Sequence, residues 1–419
     1  MKKISDHIRK AVSHPLARGS AIVFAGTMVA NAGSYLYHLV VGRILGPVGY
    51  GELAALLSLS YILNVFAVML QTVVTKFVAE KTAQDKPGDI RALVIRLSVV
   101  LLVVGALCTG LLLFLAGPIA AFLNIRDSVV IFYLFIGIVF TLIGMVYASV
   151  LQGMQRFTAG MVILNVTSLF RLAGGAAFAA FGVTATLAAN MGAIFLATLV
   201  AFWTIRTVVF TKKQATSFAL SPLFKTSAAT FFAVLGISVL NSQDVVMVKH
   251  FLPAVQSGWY GALATMGKII FFASSAVAYV LLPIVSDRSA RGSKTGSLVY
   301  MSVGAVALLS FGITAGFFIL PRLALGLLYG SAFVVAAPYL GMFGIFSSLY
   351  TVCYTIVMAL LGMGKSAVWA ILIFIAMLQD VLLAMFHNGI WPVIHVNIGI
   401  SVLLVAALLV YYRHATSEH

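Results

Sequence analysis

Charged residues are what this sequence has least of. Of its 419 residues only 9% are Asp, Glu, Lys or Arg, against roughly 25% in an ordinary soluble domain, which excludes a chain that presents its whole surface to water. Acidic residues are scarcer than basic ones, 10 against 26. Cysteine is nearly absent. Cys108 and Cys353 lie in separate apolar segments, too few for a disulfide framework or a thiolate metal site, and each reads as a small buried hydrophobe. There is no Walker A sequence, no HExxH and no glycine-rich nucleotide fingerprint, which argues against ATP hydrolysis. No metal and no cofactor is expected.

Apolar sequence is what the chain has in abundance. Hydrophobic residues make up 62% of it and the mean hydropathy is +1.11. They fall in runs of about 20, the length that carries a helix through a hydrocarbon core of ~30 Å. Transmembrane β-strands would be shorter and alternate in polarity. The fold class expected is an all-α membrane protein of about 12 transmembrane helices. The segments are 20–41, 53–75, 97–116, 129–151, 158–181 and 185–205, then 226–248, 259–285, 298–320, 338–361, 367–386 and 390–411. The first run is too long for a signal-peptide core and lacks a small-residue cleavage site, so it reads as an uncleaved helix.

The net charge of +16 would suit a nucleic-acid partner, but topology explains it without one. Twenty of the 26 Lys and Arg fall at the termini or in alternate connections: 76–96, Arg156, 206–225, 288–294 and Lys365. Four fall on the opposite face, Arg43, Arg126, Lys249 and Arg322, and two, Arg171 and Lys268, lie inside segments. This bias places both termini in the cytoplasm. Five regions follow: an amphipathic N-terminal segment (1–19), a six-helix lobe (20–206), a cytoplasmic linker (207–225), a second six-helix lobe (226–412) and a tail (413–419). Ile4, Ile8, Val12 and Leu16 among basic residues have the spacing of a helix lying on the membrane surface, or of a tail that only sets orientation.

The two lobes repeat one another. Gly153-Met154-Gln155-Arg156 matches Gly362-Met363-Gly364-Lys365 at an offset of 209, and Phe77 to Lys81 matches Ile284 to Arg288 at 207. The offset of 207 also carries Leu45 to Leu252 and Gly51 to Gly258. Each match has the same topological position, which argues for a duplicated six-helix unit. Six is even, so the copies enter the membrane in the same sense, a parallel repeat suited to alternating access.

Ionisable residues at membrane depth cost roughly 2.5–3.5 kcal/mol each, so each needs a cavity or a partner. Four stand out: Arg171, Asp244, Lys268 and Asp380. Arg171 and Asp380 are 209 apart, hence equivalent in the two repeats, roughly 20 Å up a helix from the basic face. In one reading Arg171 and Lys268 hold a phosphate or pyrophosphate group in a water-filled cavity, the Arg as a bidentate fork and the Lys as a point charge. In the other they form structural pairs, Arg171 with Asp380 and Lys268 with Asp244. Arg43 and Lys249, at the outer ends of segments one and seven, either snorkel to the interface or serve an outer gate or release site. His38 either titrates in a proton-coupled cycle or packs. Asn31, Asn64, Gln71, Asn165, Asn190, Asn241 and Gln243 supply polar lining or interhelical hydrogen bonds.

Gly42-Arg43-Ile44-Leu45-Gly46-Pro47 followed by Tyr50-Gly51 resembles the signature after the first helix of Wzx-type polysaccharide flippases. Leu151-Gln152-Gly153 with Gln155-Arg156-Phe157, then Asp244, Lys249, Leu252, Gly258, Tyr260 and Leu282-Pro283, are similar to later parts of the same family. The likeness runs from about Pro15 to Tyr412, and Pro253-Ala254 departs from it where the repeat would place Gly-Pro. The resemblance implies the multidrug/oligosaccharidyl-lipid/polysaccharide exporter superfamily. It implies an undecaprenyl-diphosphate-linked oligosaccharide as substrate, a cationic cavity, proton or sodium coupling through candidates such as Asp244, Asp380 and His38, and glycan-assembly proteins as partners.

Two other classes compete. A MATE-type multidrug exporter shares the lobes but needs intramembrane acids for cationic cargo, and the first half has none inside a helix, since Glu52 and Asp127 lie at the outer face. A MurJ-type lipid II flippase usually carries two more helices. A polysaccharide polymerase or ligase would be expected to present a large outer loop, and the longest here is roughly 15 residues by this reading.

Overall fold

The computed structural model describes residues 15–211, 228–290 and 296–417. Most of the amphipathic N-terminal segment and of the 207–225 linker therefore lie outside the described residues. Among those described, every regular element is helical. The first half holds α1 (Pro15–Leu63), α2 (Val65–Ala83), α3 (Pro87–Phe122), α4 (Val129–Gly153), α5 (Phe157–Phe178) and α6 (Val183–Val209). The second holds α7 (Ala228–Leu240), α8 (Gln243–Phe251), α9 (Ala254–Ala290), α10 (Gly296–Ile319), α11 (Pro321–Tyr329), α12 (Ala337–Gly362), α13 (Trp369–Met385) and α14 (Ile390–Ser417). A helix satisfies its backbone polar groups within its own segment, as lipid requires.

These helices make the twelve crossings that the hydropathy predicts, with two departures in how they are built. The first two crossings run through α1 into α2, interrupted between the helices at Asn64 and within α1 at Gly46 (φ 65°, ψ −178°), a conformation open in practice to glycine alone. Pro47 follows as the first residue of the next helix, where its missing N–H is harmless. The seventh crossing is not one helix either. It breaks at Asn241-Ser242, and α7 and α8 meet at a 41° bend. The eight other apolar spans among the described residues and the 37-residue α9 complete the count.

Packing divides the chain into two units. Unit 1 comprises 1–44, 66–120 and 126–225, and unit 2 comprises 45–65, 121–125 and 226–419. In unit 1, α6 packs on α4 and α5, and Phe77, Ile90, Leu93, Tyr147 and Ile205 close a core near the basic connections. In unit 2, α12 is the central helix, against α9, α10 and α14. Lipid gives helices no hydrophobic drive to associate, so packing and interhelical hydrogen bonds hold them. Thr314 and Ser348 hydroxyls meet at 2.8 Å, and Tyr350 Oη donates to the Ile237 carbonyl at 3.0 Å.

The outward faces carry bare hydrocarbon. Leu107, Leu111 and Phe114 on α3 are exposed, as residues bathed in acyl chains are. Cys353 is buried, with Sγ 3.7 Å from the Ser401 carbonyl. Cys108, expected to be buried, is exposed on this same α3 face, because a thiol is apolar enough for lipid to solvate it.

Candidate functional site

Arg171 sits on α5, which is drawn close to the first crossing by polar bonds at small residues. Asn165 Nδ2 donates to the Gly26 carbonyl and Ser168 Oγ to that of Ala30, both at 3.0 Å. One turn above Arg171, Gly175 leaves space that a Cβ would close, 2.5 Å from the Tyr37 ring. The Arg171 guanidinium therefore rests over Tyr37, with Cζ 5.1 Å from the ring centroid. That stacking is worth about 0.5–2 kcal/mol and leaves the charge in place. Its Nε is buried without a hydrogen-bond partner, and no carboxylate among the described residues lies within ion-pair distance of it. His38, beside this pair, is buried and meets Tyr37 edge-on with centroids 5.5 Å apart.

Asp244 lies at the start of α8, just past the break in the seventh crossing, and is 1% exposed. Its Oδ2 accepts from the Tyr260 hydroxyl and, at 3.2 Å, from Asn397 Nδ2. The network continues inward. Gln379 Nε2 donates to Asn397 Oδ1 at 2.8 Å, and Gln243 Nε2 to Gln379 Oε1 at 2.7 Å. All five side chains are buried, where each polar group needs a partner. Yet Asp244 Oδ1 and Gln243 Oε1 have none. Asp244, Asn241, Ser347 and Tyr350 line a cavity of about 10 Å³, room for about one water molecule. Among the described residues no group of three or more His, Cys, Asp or Glu could hold a metal ion.

Lys268 makes no ion pair with Asp244. Its Nζ lies 3.9 Å from the centroid of the Tyr61 ring. Asp380, on α13, is half-buried beside the lipid-exposed Met377 and Val381, with neither ion pair nor hydrogen bond among the described residues. It belongs to unit 2 and Arg171 to unit 1.

Lys249, near the C-terminal end of α8, does not snorkel. It is 2% exposed, with Nζ 3.4 Å from the Asn124 carbonyl oxygen and 4.0 Å from Glu52 Oε1. Asn124, in left-handed backbone (φ 50°), donates from Nδ2 to the His250 carbonyl at 2.8 Å. His250 in turn stacks on Phe122 with centroids 4.0 Å apart. Residues 121–125 are thus clasped onto α8. Arg43 is exposed at the end of the first crossing.

Gln379 and Asn397 are absent from the residues that the sequence marks out. Asn397 carried a signal, because the repeat offset of 207 pairs it with Asn190. Gln379 faces Leu172 or Phe170 at either offset and carried none.

Solved structures similar to this one share its fold across nearly the whole chain. An inward-facing MATE family multidrug resistance transporter of the MOP superfamily superposes with a TM-score of 0.74 at 14% identity, covering 92% of this chain and 94% of its own. The lipid II flippase MurJ, in an inward closed conformation, gives 0.72 at 12% identity, covering 93% and 86%. A MOP superfamily transporter from Pyrococcus furiosus, described as having a binding pocket of reversed polarity, gives 0.64 at 15%, covering 95% and 96%. At these identities the likeness establishes the fold alone. Among curated proteins no sequence match is found. Residues 16–289, more than half of the chain, match the family described as polysaccharide biosynthesis protein, and the chain belongs to that family.

Proposed function

We propose that this protein is a flippase that moves an undecaprenyl-diphosphate-linked oligosaccharide from the cytoplasmic to the outer leaflet of a bacterial inner membrane. The observation that carries the reading is Arg171. A guanidinium at membrane depth, stacked on Tyr37 and without a carboxylate partner among the described residues, holds a positive charge available to an anion. A diphosphate is an anion that a fork of N–H donors binds in two-point fashion. Membership of a polysaccharide biosynthesis family supplies the glycan. The two six-helix lobes, 20–206 and 226–412 joined by 207–225, alternate access with both termini in the cytoplasm. Lys268 adds a second cation for the diphosphate, and Arg43 and Lys249 act at the outer end, where cargo leaves.

Coupling falls to Asp244. Its unpartnered Oδ1 beside a water-sized cavity is a place where a proton or sodium ion supplies what the protein leaves unsatisfied. Asp380 is the second acid available to the cycle, and His38, packed on Tyr37, follows the state of Arg171. The competing reading is export of cationic drugs, which the fold of the MATE relatives and the two acids of the second half favour. The polarity of Arg171 opposes it, and the Pyrococcus furiosus transporter is a precedent for this fold with a reversed pocket.

The test is reconstitution in liposomes with a fluorescent undecaprenyl-diphosphate oligosaccharide, scoring exchange between leaflets by quencher access. Acceleration by the protein, enhanced by a proton or sodium gradient and competed by anionic lipid-linked sugars, supports the reading. Exchange no faster than in empty liposomes under either gradient overturns it, and competition by lipophilic cations points to a drug exporter.

A further inference from the structure

The Leu151-Gln152-Gly153 motif has no part in the site built above, yet its geometry is specific. Gly153 ends α4 and presses on α2. A Cβ there would lie 2.7 Å from Val78 Cβ and 2.8 Å from the Thr75 carbonyl oxygen. That contact sets the exposed Gln152 beside Gln71 and Thr75. Gln71 Nε2 donates to Gln152 Oε1 at 3.0 Å, and Thr75 Oγ1 reaches the same oxygen at 3.4 Å. Both lone pairs of that oxygen are engaged, so the amide is held in one orientation. The Gln152 N–H donors and the Gln71 carbonyl remain for an outside partner. Exchanging O and N of both amides leaves the same outward pattern, one donor group and one acceptor side by side.

The repeat shows that this polar pair is not needed to pack the two helices. At an offset of 209, Gly362 stands for Gly153 and Leu361 for Gln152, and at 207 Leu282 stands for Thr75. The sequence of the second copy places apolar residues at these positions. The amides therefore belong to something only the first copy does.

Depth and chemistry indicate what that is. Gln152 is the next-to-last residue of α4, level with the basic connection Met154-Gln155-Arg156. Arg171 lies 14 residues into the following helix, about 20 Å farther along its axis. A lipid-linked glycan whose diphosphate reaches Arg171 trails its sugars back toward this level. An uncharged donor beside an acceptor fits sugar hydroxyl and acetamido groups, which both donate and accept. It does not fit a phosphate, which only accepts. We infer that Gln152 and Gln71, steadied by Thr75, form a glycan-reading subsite on unit 1 for neutral hydroxyl-bearing or acetamido sugars. This inference rests on the flippase reading.

The experiment compares two probes in the reconstituted full-length protein: undecaprenyl diphosphate bearing one N-acetylhexosamine, and undecaprenyl diphosphate with no sugar. With wild type, the sugar-bearing lipid is expected to exchange faster. Gln152→Leu, the residue found in the second copy, is expected to slow it about tenfold, the factor for one lost hydrogen bond of about 1.4 kcal/mol, and to leave the sugar-free lipid unchanged. Gln71→Leu alters the pair from the other helix and must show the same selective loss, which a misfolded variant would not. If both lipids slow together, or neither does, in variants that melt with wild type, the subsite is overturned while the flippase stands. Wild-type protein that moves neither lipid overturns the flippase reading and the subsite with it.

Discussion

Gly51 and Gly258, equivalent positions of the two repeats, pack backbone against backbone. A Cβ on Gly51 would lie 2.7 Å from the Gly258 nitrogen, and one on Gly258 would collide with the Pro47 carbonyl. Gly258→Ala is therefore expected to destabilise the protein by about 1–3 kcal/mol through overpacking against rigid backbone. Melting in detergent reads this directly, and a wild-type melting temperature would show that the contact yields.

Arg171→Ala is expected to lower exchange of lipid-linked oligosaccharide by on the order of tenfold to a hundredfold, the loss of one charged hydrogen bond of about 1.5–3 kcal/mol. Arg171→Lys keeps the charge but not the fork and should fall between. Tyr37→Phe keeps the aromatic face that holds the guanidinium and should stay within a few-fold of wild type. An unchanged rate in Arg171→Ala would remove the residue from substrate binding.

Asp244→Asn preserves an acceptor for Tyr260 and Asn397 while removing the charge. Exchange is then expected to become indifferent to imposed proton and sodium gradients, with folding intact. Measuring rates with and without each gradient checks it. A retained gradient response would place coupling elsewhere, and Asp380→Asn is the next variant to measure.

Asn124 combines a left-handed backbone with a side-chain bond to His250. Asn124→Gly keeps the backbone and loses the bond, at about 1 kcal/mol. Asn124→Ala loses both and should cost more, by about 1 kcal/mol or somewhat above. Equal melting temperatures for the two variants would mean that the conformation carries no strain.

The crossings were legible in the sequence because length and hydropathy are properties of whole windows, and Arg171 because a lone charge at depth stands out against its neighbours. Other features were hidden by the same averaging. Asn241-Ser242 barely lowers the hydropathy of its window, so the break in the seventh crossing does not register there. Whether Lys249 snorkels depends on Asn124, 125 residues earlier in the chain, folding over it. The amides of Gln379 and Asn397 are ordinary residues until the helices bring them to Asp244. A hydropathy profile records what each helix can face and is blind to what it meets.

Gly46 adds a mechanical consequence. The boundary between the two packing units falls beside it, between Ile44 and Leu45, and helix runs up to it on both sides. A loop at such a joint would absorb motion as slack. Here the two helical stretches of α1 share no slack, so any change of angle between them has to be taken up in the dihedrals of Gly46.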